Sequence, residues 1–572
     1  MFSPSRGLGM GVVLGGGRLN PYLLNYDFTK GFPAALTHTR ASGATVVDES
    51  GNVVWADENL YGGSDDVWSG DYSPINLVET GSLALANGRT MRGFAGAVGT
   101  ANKYMDMRET AFAFQTGMVL TTSFDVAKGS VDYCYVQENL NSAARISYIN
   151  LTDGSIVSKH ADHTILIEDE GDFYRVHATY TVGNAPTGFE MVVGPSNGST
   201  TNPTGDGSTV MFYLGRPQLS RAGVHTYYET TLNNHYFAPR ITHDAAGNAL
   251  GYLHEPQVTN HVLSSLDAFG TGTVKVGAAV TDTGSVVSPS GATDAKEVTV
   301  SGANYLRHSV TLVAETAYVW SFWAKKGTAT TLKTSVYNIS GSAEISGIGL
   351  YDYTSQVSTD EWTRIEIPFT TPAGCTSVGV YSTRGSSDGT FFIWGAQVEE
   401  GTAATSLIPT FGAEATRQAD AVADYVVAGL SAVDSFTLLM KYSPLSDARQ
   451  ALFGLQSAGG PTSYVYWDAQ RNATQSSVVD RNDPITHPAD FHSSRSADVA
   501  NMRAAFSYSS SLRLIDVNGG GATASSSTSL STSAARGIDR LTFGDAATNT
   551  IAKSVRLFGK SKTAAELATL TT

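Results

Sequence analysis

The segment from Phe391 to Thr410 reads FFIWGAQVEEGTAATSLIPT, and a similar segment, FYLGRPQLSRAGVHTYYET, occurs earlier from Phe212 to Thr230. The later segment begins as an aromatic strand, passes a Gly-Ala-Gln-Val turn and continues into a polar run. Two such segments in one chain indicate an internal repeat, and a repeat of this kind marks a duplicated folding unit.

Three further pairs of segments occur in the same order, and the offset between partners shrinks along the chain, as loop deletions would cause. Four matched blocks in one order are typical of tandem copies, each about 150 residues long, the size of one jelly-roll sandwich. The three pairs are Asn59-Leu60 with Thr259-Asn260, TSFDVAKG (122–129) with WSFWAKKG (320–327), and DFYRVHATYTV (172–182) with EWTRIEIPFTT (361–371).

The composition favours strands and turns over long helices. Of the 572 residues, 41% are apolar and only 16% are charged, below the usual figure of about 25%. Side chains alternate along TAYVWSFWAKKG, which is the period of a strand, and the chain contains 58 glycines for turns. Only SKTAAELATL at the C-terminus and the GAEATRQADAV stretch look helical. The predicted fold is all-β, with tandem β-sandwich (jelly-roll) modules, a short N-terminal arm and a short C-terminal helix.

The charge and cysteine content exclude several classes of protein. A net charge of −15 argues against nucleic-acid binding and against an anionic membrane surface. No apolar run reaches the 18 residues of a membrane span. The two cysteines, Cys134 and Cys375, fall in different predicted modules, so neither a disulfide nor a cysteine-based zinc site is expected.

The repeat and the changes in composition divide the chain into four parts. Residues 1–56 are predicted to form a flexible or docked N-terminal arm, in preference to a signal peptide. Acidic residues followed by Gly-Asn turns, in Arg40–Val54 and Ala238–Asn260, predict hairpin connectors into the next sandwich. Sandwiches of the repeated type occupy 57–235 and 236–412, and a sandwich of a different type occupies 413–572.

Several segments resemble modular virion proteins of tailed bacteriophages, namely tail fibres and head spikes. WGAQVEEG, TSLIPT and ATRQAD resemble the end of a carbohydrate-binding-like jelly roll, and HEPQVTN resembles its lead-in. VRLFGKSKTAAELATL resembles the last strand and helix of a concanavalin/laminin-G-like sandwich. The first copy lacks the Glu-Gly and the Pro of this pattern, so it is expected to have become structural.

The resemblance implies a virion protein that attaches to a host surface polysaccharide without cleaving it. It implies other virion proteins as partners, a homotrimer and a location outside the host cell. Two alternatives remain open: a purely structural decoration or baseplate protein, and a capsular polysaccharide depolymerase. No cofactor is expected, with structural calcium as an option.

Exposed aromatic rings are the candidate glycan platforms, because sugar rings stack on them. Trp323 is the first candidate, since its partner in the repeat is Asp125, and an aspartate there predicts a face in water. A contact between modules or between subunits is the alternative for Trp323. Trp362 and Trp394 match apolar residues of the first copy and are predicted to be core. The remaining candidates are Tyr351 and Tyr353 in the second sandwich and Tyr464, Tyr466 and Trp467 in the third.

Catalytic and metal motifs are weak. GPSNG matches the nucleophile pattern around Ser196, but a turn-rich loop follows it where a helix is needed. The contiguous carboxylates of IEDEGD are predicted to form a solvated turn, with Glu168, Asp169 and Asp172 as calcium candidates. Histidines in KHADH and THPADFH lack a third ligand for zinc; they are His160, His163, His487 and His492.

Overall fold

The computed structural model describes nineteen segments of the chain, with only the backbone path given for the strands of 463–494 and 523–526. Structural statements below concern these segments, which are 22–64, 72–99, 101–139, 145–183, 189–201, 203–231, 234–276, 281–302, 304–345, 347–445, 451–457, 463–472, 475–482, 485–494, 502–509, 512–518, 523–526, 538–544 and 548–572.

The observed architecture is all-β, as predicted, with one α-helix in the described residues. The chain forms two compact units, one of residues 55–238 and one of residues 1–54 together with 239–572. The four strands before the first sandwich are β1 (Tyr22–Asp27), β2 (His38–Thr39), β3 (Thr45–Val47) and β4 (Val53–Trp55).

The first sandwich consists of two six-stranded antiparallel sheets, ordered β14-β15-β10-β17-β8-β7 and β13-β12-β11-β16-β9-β6, with β5 and β18 paired at one end. The core between the sheets includes Phe94, Phe124, Val136 and Met191. The strand bounds are β5 (Glu58–Asn59), β6 (Tyr72–Ile75), β7 (Leu77–Ala84), β8 (Thr90–Gly96), β9 (Tyr104–Glu109), β10 (Val119–Lys128), β11 (Tyr133–Glu138), β12 (Arg145–Asn150), β13 (Ile156–Ser158), β14 (Thr164–Asp169), β15 (Tyr174–Thr181), β16 (Phe189–Ser196), β17 (Val210–Arg221) and β18 (Tyr236–Phe237).

Three strands connect to the second sandwich, whose sheets are ordered β23-β24-β32-β26-β30 and β22-β25-β31-β27-β28, with β29 also on β27. The connectors are β19 (Arg240–His243), β20 (Ala249–His254) and β21 (Val258–Asn260). The sandwich strands are β22 (Thr273–Val276), β23 (Thr281–Val286), β24 (Ala295–Val300), β25 (Tyr305–Thr311), β26 (Ala317–Lys326), β27 (Lys333–Asn338), β28 (Ala343–Glu344), β29 (Tyr351–Asp352), β30 (Thr363–Thr370), β31 (Ser377–Tyr381) and β32 (Gly389–Glu400).

The two sandwiches share one topology. β15-β10-β17-β8-β7 of the first correspond in order to β30-β26-β32-β24-β23 of the second, and β11-β16-β9-β6 correspond to β27-β31-β25-β22. The register agrees as well, because the pairings of β10 with β17 and of β26 with β32 each shift at one point, between Ser123 and Asp125 and between Ser321 and Trp323. The repeated segments of the sequence therefore lie on equivalent strands of two folds of the same kind.

The third sandwich includes the segment that the sequence assigned to a separate arm. β1 pairs with the C-terminal part of strand β45 (Thr550–Phe558), and β20 pairs with the N-terminal part of the same strand. Phe28 and Leu24 lie in the third core, because the apolar side chains of 22–36 cover it. Residues 22–36 are thus built into this sandwich and do not form an independent arm.

The remaining strands and the helix complete this unit. The expected helix in GAEATRQADAV is instead two short strands, because Arg417 and Asp420 are held in a buried charge network described below. The C-terminal helix is confirmed: α1 (Ala564–Thr571) starts with a capping box of Thr563 and Glu566. The strands are β33 (Ala415–Arg417), β34 (Ala421–Val422), β35 (Tyr425–Val426), β36 (Phe436–Pro444), β37 (Ala451–Ser457), β38 (Ser463–Asn472), β39 (Gln475–Asn482), β40 (Ile485–Ser494), β41 (Met502–Tyr508), β42 (Leu512–Val517), β43 (Thr523–Ser526), β44 (Ile538–Phe543) and β45 (Thr550–Phe558).

Across the described segments, no helix has the length and apolarity required to cross a membrane. Both cysteines are buried and unpaired, as predicted.

Candidate functional site

The repeated motif forms a buried polar clasp. In the second sandwich, the Asn260 side chain donates to the carbonyls of Ala396 (3.2 Å) and Ile408 (2.9 Å). The Thr410 hydroxyl donates to Val262 O (2.7 Å) and accepts from the amide of Ser265 (2.8 Å). The polar run after β32 is thereby fixed to the entry of the module.

The first sandwich contains the same clasp. The Asn59 side chain donates to Tyr228 O (2.8 Å), and Thr230 Oγ1 donates to Tyr61 O (2.7 Å) and accepts from the Ser64 amide (3.0 Å). These side chains are buried in both copies. The segment that occurs twice in the sequence therefore closes each sandwich.

A buried charge network links the other quoted motifs. Arg240 Nη1 lies 2.6 Å from a Glu255 carboxylate oxygen, and Arg417 lies 2.9 Å from the same oxygen. Arg240 also pairs with Asp420, which accepts from Arg40 at 2.8 Å. Burial alone would raise the pKa of Glu255, but Arg417 and Arg240 lower that pKa to about 2. HEPQVTN and ATRQAD thus form a structural joint of charged residues within one compact unit.

The inference that Asp125 marks a face in water is wrong. Asp125 is fully buried and accepts from Arg175 (3.1 Å), Arg216 (2.7 Å) and Arg89 (2.7 Å). Three guanidinium groups compensate the carboxylate where solvent would otherwise do so.

Trp323 occupies the equivalent place in the second sandwich and is half-buried. Its ring meets Trp394 edge-on at 5.4 Å and lies 4.4 Å from the Arg364 guanidinium carbon. It packs in a small cluster with Leu407 and Val53 of the N-terminal segment. This environment matches an inter-module contact, the alternative considered for Trp323.

The other aromatic candidates have different environments. Tyr353 is fully buried, and its hydroxyl donates to Ser382 O (2.9 Å), so it is a core residue and not a platform. Tyr351 is 37% exposed on the edge strand β29 and stays a prediction. The side chains of Tyr464, Tyr466 and Trp467 lie outside the described residues.

The two tryptophans predicted to be core belong to the same small cluster. Trp394 is buried, and Trp362 is half-buried with its indole N–H donating to Val287 O at 3.0 Å. The ammonium group of Lys325 lies 5.6 Å from the Trp362 ring.

The calcium candidates do not converge. Glu168 faces His177 (3.4 Å), Asp169 accepts from the Gly171 amide (2.9 Å), and Asp172 accepts from the Ala86 amide (3.2 Å). In the segments that the structure covers, no three His, Cys, Asp or Glu side chains form a group suited to a metal ion. The ring centroids of His160 and His163 lie 5.7 Å apart with the rings tilted by 55°, while His487 and His492 lie outside the described side chains.

A Ser-His-carboxylate line exists but is closed to solvent. Ser123 Oγ lies 2.8 Å from His177 Nδ1, whose Nε2 faces Glu168. Ser123 has no exposed surface, so this hydroxyl cannot meet a substrate in this structure. Ser196, the motif serine, donates to Thr200 O (2.7 Å) at the end of β16, where a turn follows.

The outer face of β25, β31 and β27 in the second sandwich carries aromatic rings. Tyr381 is the buried ring at the centre of this face. Its ring centroid lies 5.0 Å from that of Tyr305 and 6.4 Å from that of Tyr337. Both flanking rings are half-buried and leave part of their surface in water. Arg384 lies 5.1 Å from the Tyr337 ring and 5.2 Å from the Tyr381 ring.

The first sandwich carries tyrosines on the corresponding sheet face. Tyr104 and Tyr148 are half-buried, and Tyr135 lies between them in register. Burial raises the pKa of the Tyr135 phenol well above its usual range. Gly194 faces these rings, and a Cβ there would lie 2.6 Å from Tyr135 Cε1, so only glycine admits the ring in this position.

These two faces, named here the outer tyrosine faces, were missed by the sequence reasoning. The available signal was alternation: Val336, Val378 and Val380 are core, which places Tyr337 and Tyr381 on the opposite side of their strands.

Comparisons with known proteins give similarity at the level of fold. Neither a family model nor a curated protein sequence matches the chain. The solved structure of Ruminococcus gnavus IT-sialidase CBM40 bound to alpha2,3 sialyllactose is 16% identical over 26% of this chain and 87% of its own, with a TM-score of 0.22. The tandem CBM22-1-CBM22-2 domain of Paenibacillus barcinonensis Xyn10C is 11% identical over 64% of this chain and 100% of its own, with a TM-score of 0.20.

Proposed function

We propose that the chain binds glycans without cleaving them, through the outer tyrosine faces of its two repeated sandwiches. The observation that carries the proposal is that tyrosines recur on the corresponding sheet of both copies, part-exposed and beside polar groups. Sugar rings stack on such rings, and neighbouring polar side chains bond the hydroxyl groups.

The polar neighbours suit hydroxyl recognition. In the first sandwich the part-exposed amide of Gln137 and the carboxylate of Glu190 lie on the same face as Tyr104 and Tyr148. In the second, the Arg384 guanidinium lies over two rings and pairs with Glu344, and its side chain stays 30% exposed, so it can donate to a sugar hydroxyl. A shallow site of this kind takes a saccharide chain across a sheet.

We further propose that this binding serves attachment of a tailed-phage tail fibre or head spike to a host polysaccharide, in a homo-oligomer. Support comes from the resemblance of the HEPQVTN, TSLIPT and ATRQAD segments, and from the low affinity of one shallow site, which many linked copies raise. Residues 22–36 pack in the third sandwich, and docking of the N-terminal region to other virion proteins stays a prediction. Imaging of labelled particles tests this role, and a protein absent from virions would contradict it.

Glycan binding is tested on an array with purified protein. Tyr337→Ala and Tyr148→Ala each remove a part-exposed ring from one face, and we expect at least tenfold weaker binding at the affected sandwich. Tyr351→Ala is the matched comparison, because it removes an exposed tyrosine that lies off both faces.

The outcomes separate the candidates. Loss with Tyr351→Ala alone moves the site to the edge strand β29 and contradicts the outer faces. A wild-type protein that binds no glycan on the array favours the decoration protein. Release of reducing ends from capsule would show a depolymerase. Unchanged melting temperatures of the variants exclude a folding defect.

A further inference from the structure

We infer that the second sandwich selects a glycan that carries a carboxylate, and that Arg307 on its outer tyrosine face binds this group. The inference rests on the proposed glycan binding and adds the chemical class of the ligand. It concerns the site formed by Arg307, Tyr381, Tyr337 and Arg384.

Arg307 is fixed by its surroundings. Its side chain crosses Gly379, where an added Cβ would lie only 2.7 Å from Arg307 Cδ. Its Nη1 lies 3.4 Å from the Tyr381 hydroxyl, and its guanidinium carbon lies 5.9 Å from the Tyr381 ring. These contacts restrain the guanidinium, and a restrained guanidinium keeps its forked donors in one orientation, which favours bidentate binding of a carboxylate.

Among the residues that the structure describes, no carboxylate compensates the charge of Arg307. Arg384 on the same face pairs with Glu344, whereas no carboxylate pairs with Arg307 in the described parts of the chain. Its Nε is buried without a hydrogen-bond partner there. In a chain of net charge −15, a half-buried arginine beside part-exposed rings, with no carboxylate partner among the described residues, is suited to an anionic ligand.

The corresponding face of the first sandwich has the opposite character. Asp106 lies there beside Glu190, and Arg108 binds both, at 2.7 Å and 3.4 Å. The arginine of that face is therefore already paired. The two copies, with one topology, offer a basic and an acidic face, so only the second is expected to select an acidic sugar.

The test is an array that pairs each acidic glycan with its carboxyl-reduced counterpart, which keeps the sugar backbone and removes the charge. Wild-type protein is expected to bind the acid at least tenfold more tightly than the reduced form. Arg307→Gln is expected to abolish this preference, and Arg307→Lys to restore only part of it, since lysine lacks the fork. Arg108→Gln in the first sandwich is the control and is expected to leave the preference unchanged.

Equal binding of acid and reduced forms, with loss in Tyr337→Ala, overturns the carboxylate inference and leaves glycan binding in place. The same holds if Arg307→Gln weakens both forms equally. Binding of no glycan of either kind overturns the proposed function and this inference with it. Melting temperatures of both Arg307 variants show whether the sandwich is intact.

Discussion

At the scale of single residues, the two copies fill the space beside the equivalent strand shift with different side chains. The strand shift in the first sandwich places Arg216 at a φ of +41°, and its guanidinium reaches buried Asp125. In the second, Gly395 has a φ of +66° at the matching place, and the ring of Trp323 fills the space. A buried ion cluster in one copy is thus a cation–aromatic stack in the other, with Arg364 over Trp323.

Gly395→Ala is therefore expected to destabilise the second sandwich by about 1–3 kcal/mol. The new Cβ would lie 2.5 Å from Trp323 Cε3. Gly374→Ala is the control, because Gly374 has a similar φ of +73° but nothing within 4 Å of the added Cβ. Denaturant unfolding followed by tryptophan fluorescence measures both, and equal losses would show that backbone strain, and not the ring, requires glycine.

At the scale of elements, the buried polar clasp closes the sandwich in each copy. The run after β17 or β32 returns to the module entry and is fixed by an asparagine, a serine and a threonine. These groups are buried, so each lost hydrogen bond leaves a buried partner unsatisfied. Because an unsatisfied buried group costs more than the bond itself contributes, the clasp is sensitive to substitution.

Thr410→Val keeps the shape of the side chain and removes the bonds to Val262 O and the Ser265 amide. A loss of about 1–3 kcal/mol in unfolding free energy is expected. Thr416→Val removes a hydroxyl from the exposed pair with Thr259 (2.8 Å) and is expected to change it little. Chemical denaturation measures both variants, and a neutral Thr410→Val would show that the clasp does not stabilise the module.

At the scale of the whole molecule, buried ionisable groups tie stability to pH. Burial lowers the pKa of His308 and of His163 to about 4. The unfolded chain, with histidines near pKa 6.5, then binds more protons than the folded chain between pH 6.5 and pH 4. Burial raises the pKa of Glu255, but Arg417 and Arg240 outweigh this effect and lower it. The lowered pKa of Glu255 also makes stability fall as the pH decreases, at a lower pH than for the histidines.

Stability is expected to fall as the pH decreases from 6.5 to 4, by up to about 1.4 kcal/mol per pH unit for each such histidine. His308→Gln removes the titrating group from the second core, so its melting temperature should depend less on pH over this interval. Melting scans from pH 7.5 to pH 4 on both proteins measure the difference. Parallel curves would show that His308 does not contribute.

The sequence by itself determined the strand class, the duplication and the C-terminal helix, because alternation, turn residues and capping are local signals. Only the tertiary structure decided the burial of Asp125 and Tyr353 and the packing of residues 22–54. Whether an aspartate is exposed to solvent or is buried and paired with three arginines depends on strands that are far apart in the chain. For the same reason, Tyr337, Tyr381 and Arg307 became a candidate site only when three strands placed them on one face.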